Sequence, residues 1–138
     1  MAREKILLVD DEKDFVDIIT AVLEKGGYEV VAAYDSAGAR KQAARERPSL
    51  VILDVMMESP TAGFEVARWL RSEEQLKTIP VIMLTAVNQK FPFNFDKDDI
   101  WLPVDVFLEK PVKPEQLLAE VKKAVGQADA SRPVTPKP

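Results

Sequence analysis

The sequence predicts an α/β protein: a doubly wound, five-stranded parallel sheet with helices on both faces. Three observations carry this reading. Short apolar runs alternate along the chain with segments whose apolar residues recur at helical spacing. Five such strand–helix repeats call for a parallel sheet covered on both sides. The length, 138 residues, is that of one ordinary domain, which makes a single core the default.

Each element has its own signal. Ile6 to Val9 is the first strand. Phe15, Ile18, Ile19, Val22 and Leu23 then fall on one stripe, which predicts a helix packed by that face. Gly26-Gly27 ends it, glycine being cheap in the left-handed position after a helix. Tyr28 to Ala33 reads as the second strand. Ser36 is the expected N-cap of an Ala-rich helix reaching about Arg47, and Pro48 stops its continuation. Leu50 to Leu53 is the third strand and delivers Asp54. A loop from Val55 to Ala62 precedes a helix from about Gly63 to Ser72 that buries Val66, Ala67 and Leu70. Pro80 introduces the fourth strand, Val81 to Leu84. The fifth strand is Asp105 to Leu108, and the last helix starts near Pro114, a good first-turn residue, carrying Leu117, Leu118, Val121 and Val125.

One stretch breaks the rhythm. A fourth helix is expected within Val87 to Val104, yet Phe91, Phe93 and Phe95 alternate around Pro92 and Asn94, a period of two that a helix does not have. Only Asp96 to Leu102 suits a turn or two. The fourth helix is therefore expected to be short, displaced or absent. The domain is taken to span residues 1–126, and 127–138, without periodicity and rich in proline, reads as a disordered tail or linker.

Composition narrows the function. The 46% hydrophobic and 30% charged content is ordinary for a soluble globular chain. No apolar run approaches the roughly 20 residues of a membrane span, and no signal-peptide core precedes the first strand, so a cytoplasmic location without membrane contact is expected. A net charge of −4 argues against a broad nucleic-acid-binding surface, and nothing resembles a helix-turn-helix. The absence of cysteine excludes disulfides and thiol chemistry. The absence of histidine removes imidazole bases and the usual zinc sites. Carboxylates, hydroxyls, lysine and a hard cation remain.

Those groups are concentrated. Four of the apolar runs end on them: Asp10-Asp11-Glu12, Asp54, Thr85, and Glu109-Lys110-Pro111. Parallel strands bring these ends to the carboxyl edge of the sheet, where open α/β sheets place ligands. Crowded carboxylates repel one another unless a proton or cation neutralises them, and their oxygens with room for water suit Mg²⁺. Asp54 would act as a carboxylate nucleophile forming an acyl phosphate. Lys110 as a point charge and Thr85 as a hydroxyl donor would stabilise the transferring phosphoryl oxygens.

With Leu-Val-Asp-Asp-Glu, Val-Ile-Leu-Asp-Val-Met-Met, Met-Leu-Thr-Ala and Leu-Glu-Lys-Pro-Val in order, the chain resembles the receiver domain of bacterial two-component response regulators, of the chemotaxis-regulator type. The resemblance spans about Lys5 to Val125. It implies a flavodoxin-like sheet in the order 2-1-3-4-5. It also implies Asp54 as phosphoacceptor, Mg²⁺ held by Asp11, Asp54 and the main-chain carbonyl of Met56 with Asp10 assisting, and a cis Lys110–Pro111 bond. Thr85 and Lys110 would hold the phosphoryl group, and Thr85 with Phe107 would form the switch. The implied partners are a sensor histidine kinase or phosphotransfer protein, and a downstream protein on the face of the fourth helix, fifth strand and fifth helix. Direct DNA binding is not expected from this chain, and the implied state is a monomer or a phosphorylation-dependent dimer.

The chain departs from the family pattern in places. The loop Met57-Glu58-Ser59-Pro60-Thr61-Ala62-Gly63 is one residue longer than usual, with Ala62 where the family has aspartate. Phe107 lacks a tyrosine's hydroxyl, so it can switch by packing alone or simply pack under the last helix. Met56 and Val87, two after Asp54 and Thr85, are apolar and cannot orient a water, which predicts slow self-dephosphorylation. Ala86 is small and would leave the site accessible. Phe91, Phe93, Phe95 and Trp101 either form a docking surface or fold inward to fill a groove. Two alternative functions are a non-phosphorylated interaction module and a Mg²⁺-dependent phosphohydrolase with an aspartyl-phosphate intermediate. The hydrolase lacks the carboxylate such enzymes carry two residues after the nucleophile, since residue 56 is methionine.

Overall fold

The computed structural model describes residues 4–57, 59, 61–86 and 104–131. Strands β1 (Lys5–Val9), β2 (Glu29–Ala33), β3 (Leu50–Asp54), β4 (Val81–Ala86) and β5 (Val106–Lys110) alternate with helices α1 (Lys13–Lys25), α2 (Ser36–Glu46), α3 (Ala62–Ser72) and α4 (Pro114–Ser131). All strand pairs are parallel, in the order β2-β1-β3-β4-β5. This is the expected doubly wound, flavodoxin-like arrangement. The place of an expected fourth helix, with Val87, the three phenylalanines and Trp101, lies outside the described residues, so α4 is the helix that the sequence places fifth.

The strand side chains alternate between two cores, as the twofold period of a strand requires. Leu7, Val9, Val51, Leu53, Val81 and Met83 face α2 and α3, meeting Ala39, Ala43, Phe64, Val66, Ala67 and Leu70. Ile6, Leu8, Leu50, Ile52, Ile82 and Leu84 face α1 and α4, meeting Val16, Ile19, Leu23, Leu117 and Val121. Every residue of β3 is buried. A central strand covered on both sides needs apolar residues at every position, which is why it carries no polar–apolar alternation.

Several boundaries differ from the sequence reading for local reasons. The buried stripe of α1 is Val16, Ile19 and Leu23, while Ile18 is 62% exposed. Asp35 rather than Ser36 caps α2, its carboxylate accepting from the Gly38 N–H at 2.7 Å, and Ser36 lies inside the helix. Strand β5 runs Val106–Lys110 instead of stopping at Leu108, and α4 extends past Gly126 to Ser131. The Gly27 expectation holds: its φ of 100° is the left-handed turn that releases the chain into β2. Lys110–Pro111 is cis, as the resemblance implies.

At the edge opposite the aspartates, Arg71 stitches the α3–β4 connection to β5. Its guanidinium donates to the carbonyls of Ile79 at 2.6 Å and Lys77 at 3.1 Å, and to Asp105 at 2.9 Å. Asp105 also accepts from the Val81 N–H at 2.8 Å. These bonds fix where β4 and β5 start and hence where Thr85 and Lys110 arrive. Among the described residues, no helix is long and apolar enough to cross a membrane.

Candidate functional site

The β1 ladder continues one residue beyond the strand, with the Asp10 N–H donating to the Ala33 carbonyl at 3.1 Å. That bond holds Asp10 against the sheet, fully buried. One of its carboxylate oxygens accepts from the Glu12 N–H at 2.9 Å and the other from the Lys110 ammonium at 2.8 Å. Asp54 ends β3 opposite Leu84, and Thr85 follows one position later on β4, both buried at the same edge. Lys110 ends β5 opposite Ala86.

The strand ends converge as the sequence predicts. Carboxylate oxygens of Asp10, Asp11 and Asp54 lie within 4.8 Å of one another, with Asp11 exposed to solvent. The Lys110 Nζ stands 3.6 Å from Asp54 Oδ1 and 3.6 Å from Glu12 Oε1. It also lies over the Phe15 ring, 4.3 Å from the centroid.

This crowding sets the electrostatics. Burial pushes the Asp54 carboxyl up to about 7, the Asp10 charge adds to it, and the Lys110 charge works against both. Burial pulls the Lys110 ammonium down, but its hydrogen bond to Asp10 and the charges of Asp54, Asp10 and Glu12 outweigh that and raise it overall. One ammonium cannot balance three close carboxylates. Hard oxygen donors, two buried and one open to water, are the donor set that suits Mg²⁺, so the residues fit that ion.

Other predicted residues stand apart from this cluster. The Met56 side chain is 44% exposed beside the loop that leads to α3. Phe107 does not pack under the last helix: strand alternation sends Leu108 to that side, while Phe107 meets Phe64 of α3 at 6.3 Å between centroids and remains 40% exposed.

Three residues acquire roles that the sequence reading did not assign. Glu12 and Phe15 surround the Lys110 ammonium, and Gly63 lets α3 approach β3. The Gly63 N–H donates to the Val55 carbonyl at 2.8 Å, and a Cβ there would overlap the Asp54 carbonyl oxygen and lie 2.8 Å from Val55 Cα. The acidic run was a signal for Glu12. Nothing in the spacing separates Phe15 from an ordinary core residue.

Fold and site together define a doubly wound α/β domain with an acidic cluster, suited to a divalent cation, at the carboxyl edge of its sheet. The chain belongs to the response regulator receiver domain family, whose family model matches residues 6–122. It is 36% identical over 132 residues to the alkaline phosphatase synthesis transcriptional regulatory protein PhoP of Bacillus subtilis, covering 95% of this chain and 52% of that protein. It is 32% identical over 137 residues to the phosphate regulon transcriptional regulatory protein PhoB of Pseudomonas aeruginosa, covering 97% and 58%. The chain thus spans about half the length of these relatives. Among solved structures, the chemotaxis response regulator CheY4 of Vibrio cholerae superposes with a TM-score of 0.75 at 28% identity, covering 89% of this chain and 99% of that one. A response regulator from Chloroflexus aurantiacus gives 0.76 at 26% identity, covering 91% and 99%. The chain is therefore a receiver domain of the two-component response regulator type.

Proposed function

We propose that this receiver accepts a phosphoryl group on Asp54 from a phosphohistidine of a sensor kinase or phosphotransfer protein, and that the modified edge changes the binding of a downstream protein. The observation that carries this reading is Lys110, which lies within 3.6 Å of Asp54 while hydrogen-bonded to Asp10. An Asp54 carboxylate oxygen attacks phosphorus, the P–N bond of the donor breaks, and the imidazole nitrogen leaves with the bonding pair. With no histidine in the sequence, the phosphohistidine lies outside these 138 residues.

Lys110 and Thr85 take the phosphoryl oxygens, the lysine by charge and the threonine by its hydroxyl. Asp10, Asp11, Asp54 and the Met56 carbonyl are the residues that would hold Mg²⁺. When bound, that ion offsets the negative charge gathering on carboxylates and phosphoryl oxygens. Movement of Thr85 toward the new oxygens, with Phe107 shifting against Phe64, is the proposed route to the β5–α4 face. PhoP and PhoB are named as transcriptional regulatory proteins. For this chain we place the output in a protein contact, in the cytoplasm, and keep residues 127–138 as a tail or linker whose first five residues continue α4.

The test is intact mass after incubation with acetyl phosphate and Mg²⁺. A gain of one phosphoryl group, lost in Asp54→Ala and in EDTA, is the expected result. No gain in the wild type sinks the reading and favours a non-phosphorylated interaction module.

A further inference from the structure

Two kinds of group hold the Lys110 ammonium. Carboxylates of Asp10, Asp54 and Glu12 lie at 2.8, 3.6 and 3.6 Å. The face of the Phe15 ring lies 4.3 Å from Nζ. Phe15 opens the first turns of α1 beside the buried Val16–Ile19–Leu23 stripe, half-buried against the core that α1 shares with α4. As a space-filler there, leucine would serve as well. What only an aromatic ring adds is the negative face of its quadrupole, which attracts a cation and does so more strongly where water is excluded. The Lys110 side chain is 17% exposed, so its ammonium meets that condition.

The need for such a contact follows from the lysine itself. It is a point charge on a flexible four-carbon stem, and the largely exposed Glu12 competes for it with Asp54. A ring attracts the ammonium without adding a negative charge, so it restrains the stem and leaves the donors to the oxygens. An ammonium already in place stabilises developing phosphoryl charge without reorganising at the moment of transfer.

We propose that Phe15 is a positioning residue for Lys110, its ring face keeping the ammonium within reach of Asp54 and so accelerating phosphoryl transfer onto that carboxylate. This deepens the phosphoacceptor reading and rests on it for its kinetic consequence.

The experiment measures the rate of acetyl-phosphate labelling in saturating Mg²⁺ for wild type, Phe15→Leu, Phe15→Tyr, Lys110→Gln and Phe15→Leu/Lys110→Gln. Phe15→Leu should slow labelling about three- to tenfold, and Phe15→Tyr should stay within about twofold of wild type. In the Lys110→Gln background, Phe15→Leu should have no further effect. A Phe15→Leu rate within twofold of wild type, an equal loss in both backgrounds, or an equal loss in Phe15→Tyr overturns the proposal and leaves Phe15 as packing. A second measurement covers a Phe15→Leu protein that does not fold. The Lys110 ε-methylene protons of the wild type should resonate upfield of ordinary lysines through the ring current, and their absence there overturns the placement. If the wild type takes no phosphoryl group at all, the phosphoacceptor reading fails by itself, and the ring-current shift alone decides whether the ring holds the ammonium.

Discussion

The Lys110 ammonium lies 2.8 Å from Asp10, a carboxylate with no solvent exposure. The pair joins the end of β5 to the end of β1 across two intervening strands of the sheet. A buried pair of this kind gives little net stability, because both charges have left water; removing one partner is what costs, since the other stays buried and unpaired.

Lys110→Met keeps the stem and deletes the charge. It should destabilise the protein by about 2–4 kcal/mol in EDTA, less than a wholly buried pair because Asp10 retains the Glu12 N–H. Mg²⁺ should recover part of that loss, since a cation among the three carboxylates offsets the same charge. Urea denaturation with and without Mg²⁺ measures both effects. Equal losses in the two conditions would show that the cost does not come from carboxylate charge that a cation among the three aspartates can offset.

Asp54 gives the ion-free protein a pH dependence of definite sign. Its folded value is raised to about 7, above the ordinary 3.8, so between these values the native state holds a proton that the unfolded chain has released. Stability from this group is complete below the ordinary carboxylate value and is lost as pH rises through about 7, a change of a few kcal/mol at most. Asp54→Asn should remove that slope, so the variant's advantage over wild type in EDTA should grow from pH 5 to pH 8. Mg²⁺ should reverse the trend for the wild type, raising its melting temperature more at pH 8 than at pH 6, because the ion needs the ionised carboxylate. Parallel pH profiles for the two proteins in EDTA would show that Asp54 is not the group that titrates.

The sheet and the placement of its polar ends were legible because the parallel topology makes each apolar run point the same way. A residue that follows such a run must arrive at one edge, as Asp10, Asp54 and Lys110 do. Side-chain direction within helices was less legible. Ile18 fits the apolar spacing of α1 as well as Val16 does, but only the position of the sheet decides which is covered. Asp35 and Ser36 are both good caps, and the choice depends on where the chain leaves β2. The partners of Lys110 are tertiary: Phe15 is remote from it in sequence, and its ring reads from spacing as ordinary core.

Gly63 couples the fold to the site. Glycine is required there by close approach, since α3 presses its first turn against the carbonyl of Asp54 and the backbone of Val55. Gly63→Ala would force apart backbone atoms, not a flexible side-chain tip, and should cost about 2–4 kcal/mol. It should also slow acetyl-phosphate labelling, because the displaced segment carries Asp54, the proposed phosphoacceptor. Denaturation midpoints and labelling rates on the same sample provide the check. A stable variant with normal labelling would mean that the α3 turn shifts away without disturbing β3.

On the proposed phosphoacceptor reading, Met56 bears on how long the phosphorylated state lasts. Hydrolysis of an acyl phosphate needs a water in line with the bond to Asp54, held by a hydrogen-bonding group. Residue 56, two positions after Asp54, offers an apolar side chain that is 44% exposed and cannot hold that water. Its main-chain carbonyl, the part assigned to the cation, survives any substitution, so the side chain can be tested separately from metal binding. Met56→Asn should shorten the half-life of the phosphoprotein several-fold after acetyl phosphate is removed, and combining it with Val87→Glu should shorten it further. The exposure of the side chain should keep the stability change within about 0.5 kcal/mol, so faster decay would not reflect a loosened fold. Intact-mass time courses in excess Mg²⁺ give the half-life directly. Unchanged decay in both variants would show that side chains at 56 and 87 do not set the lifetime of the signal, and that water reaches the phosphoryl group by another side of the site.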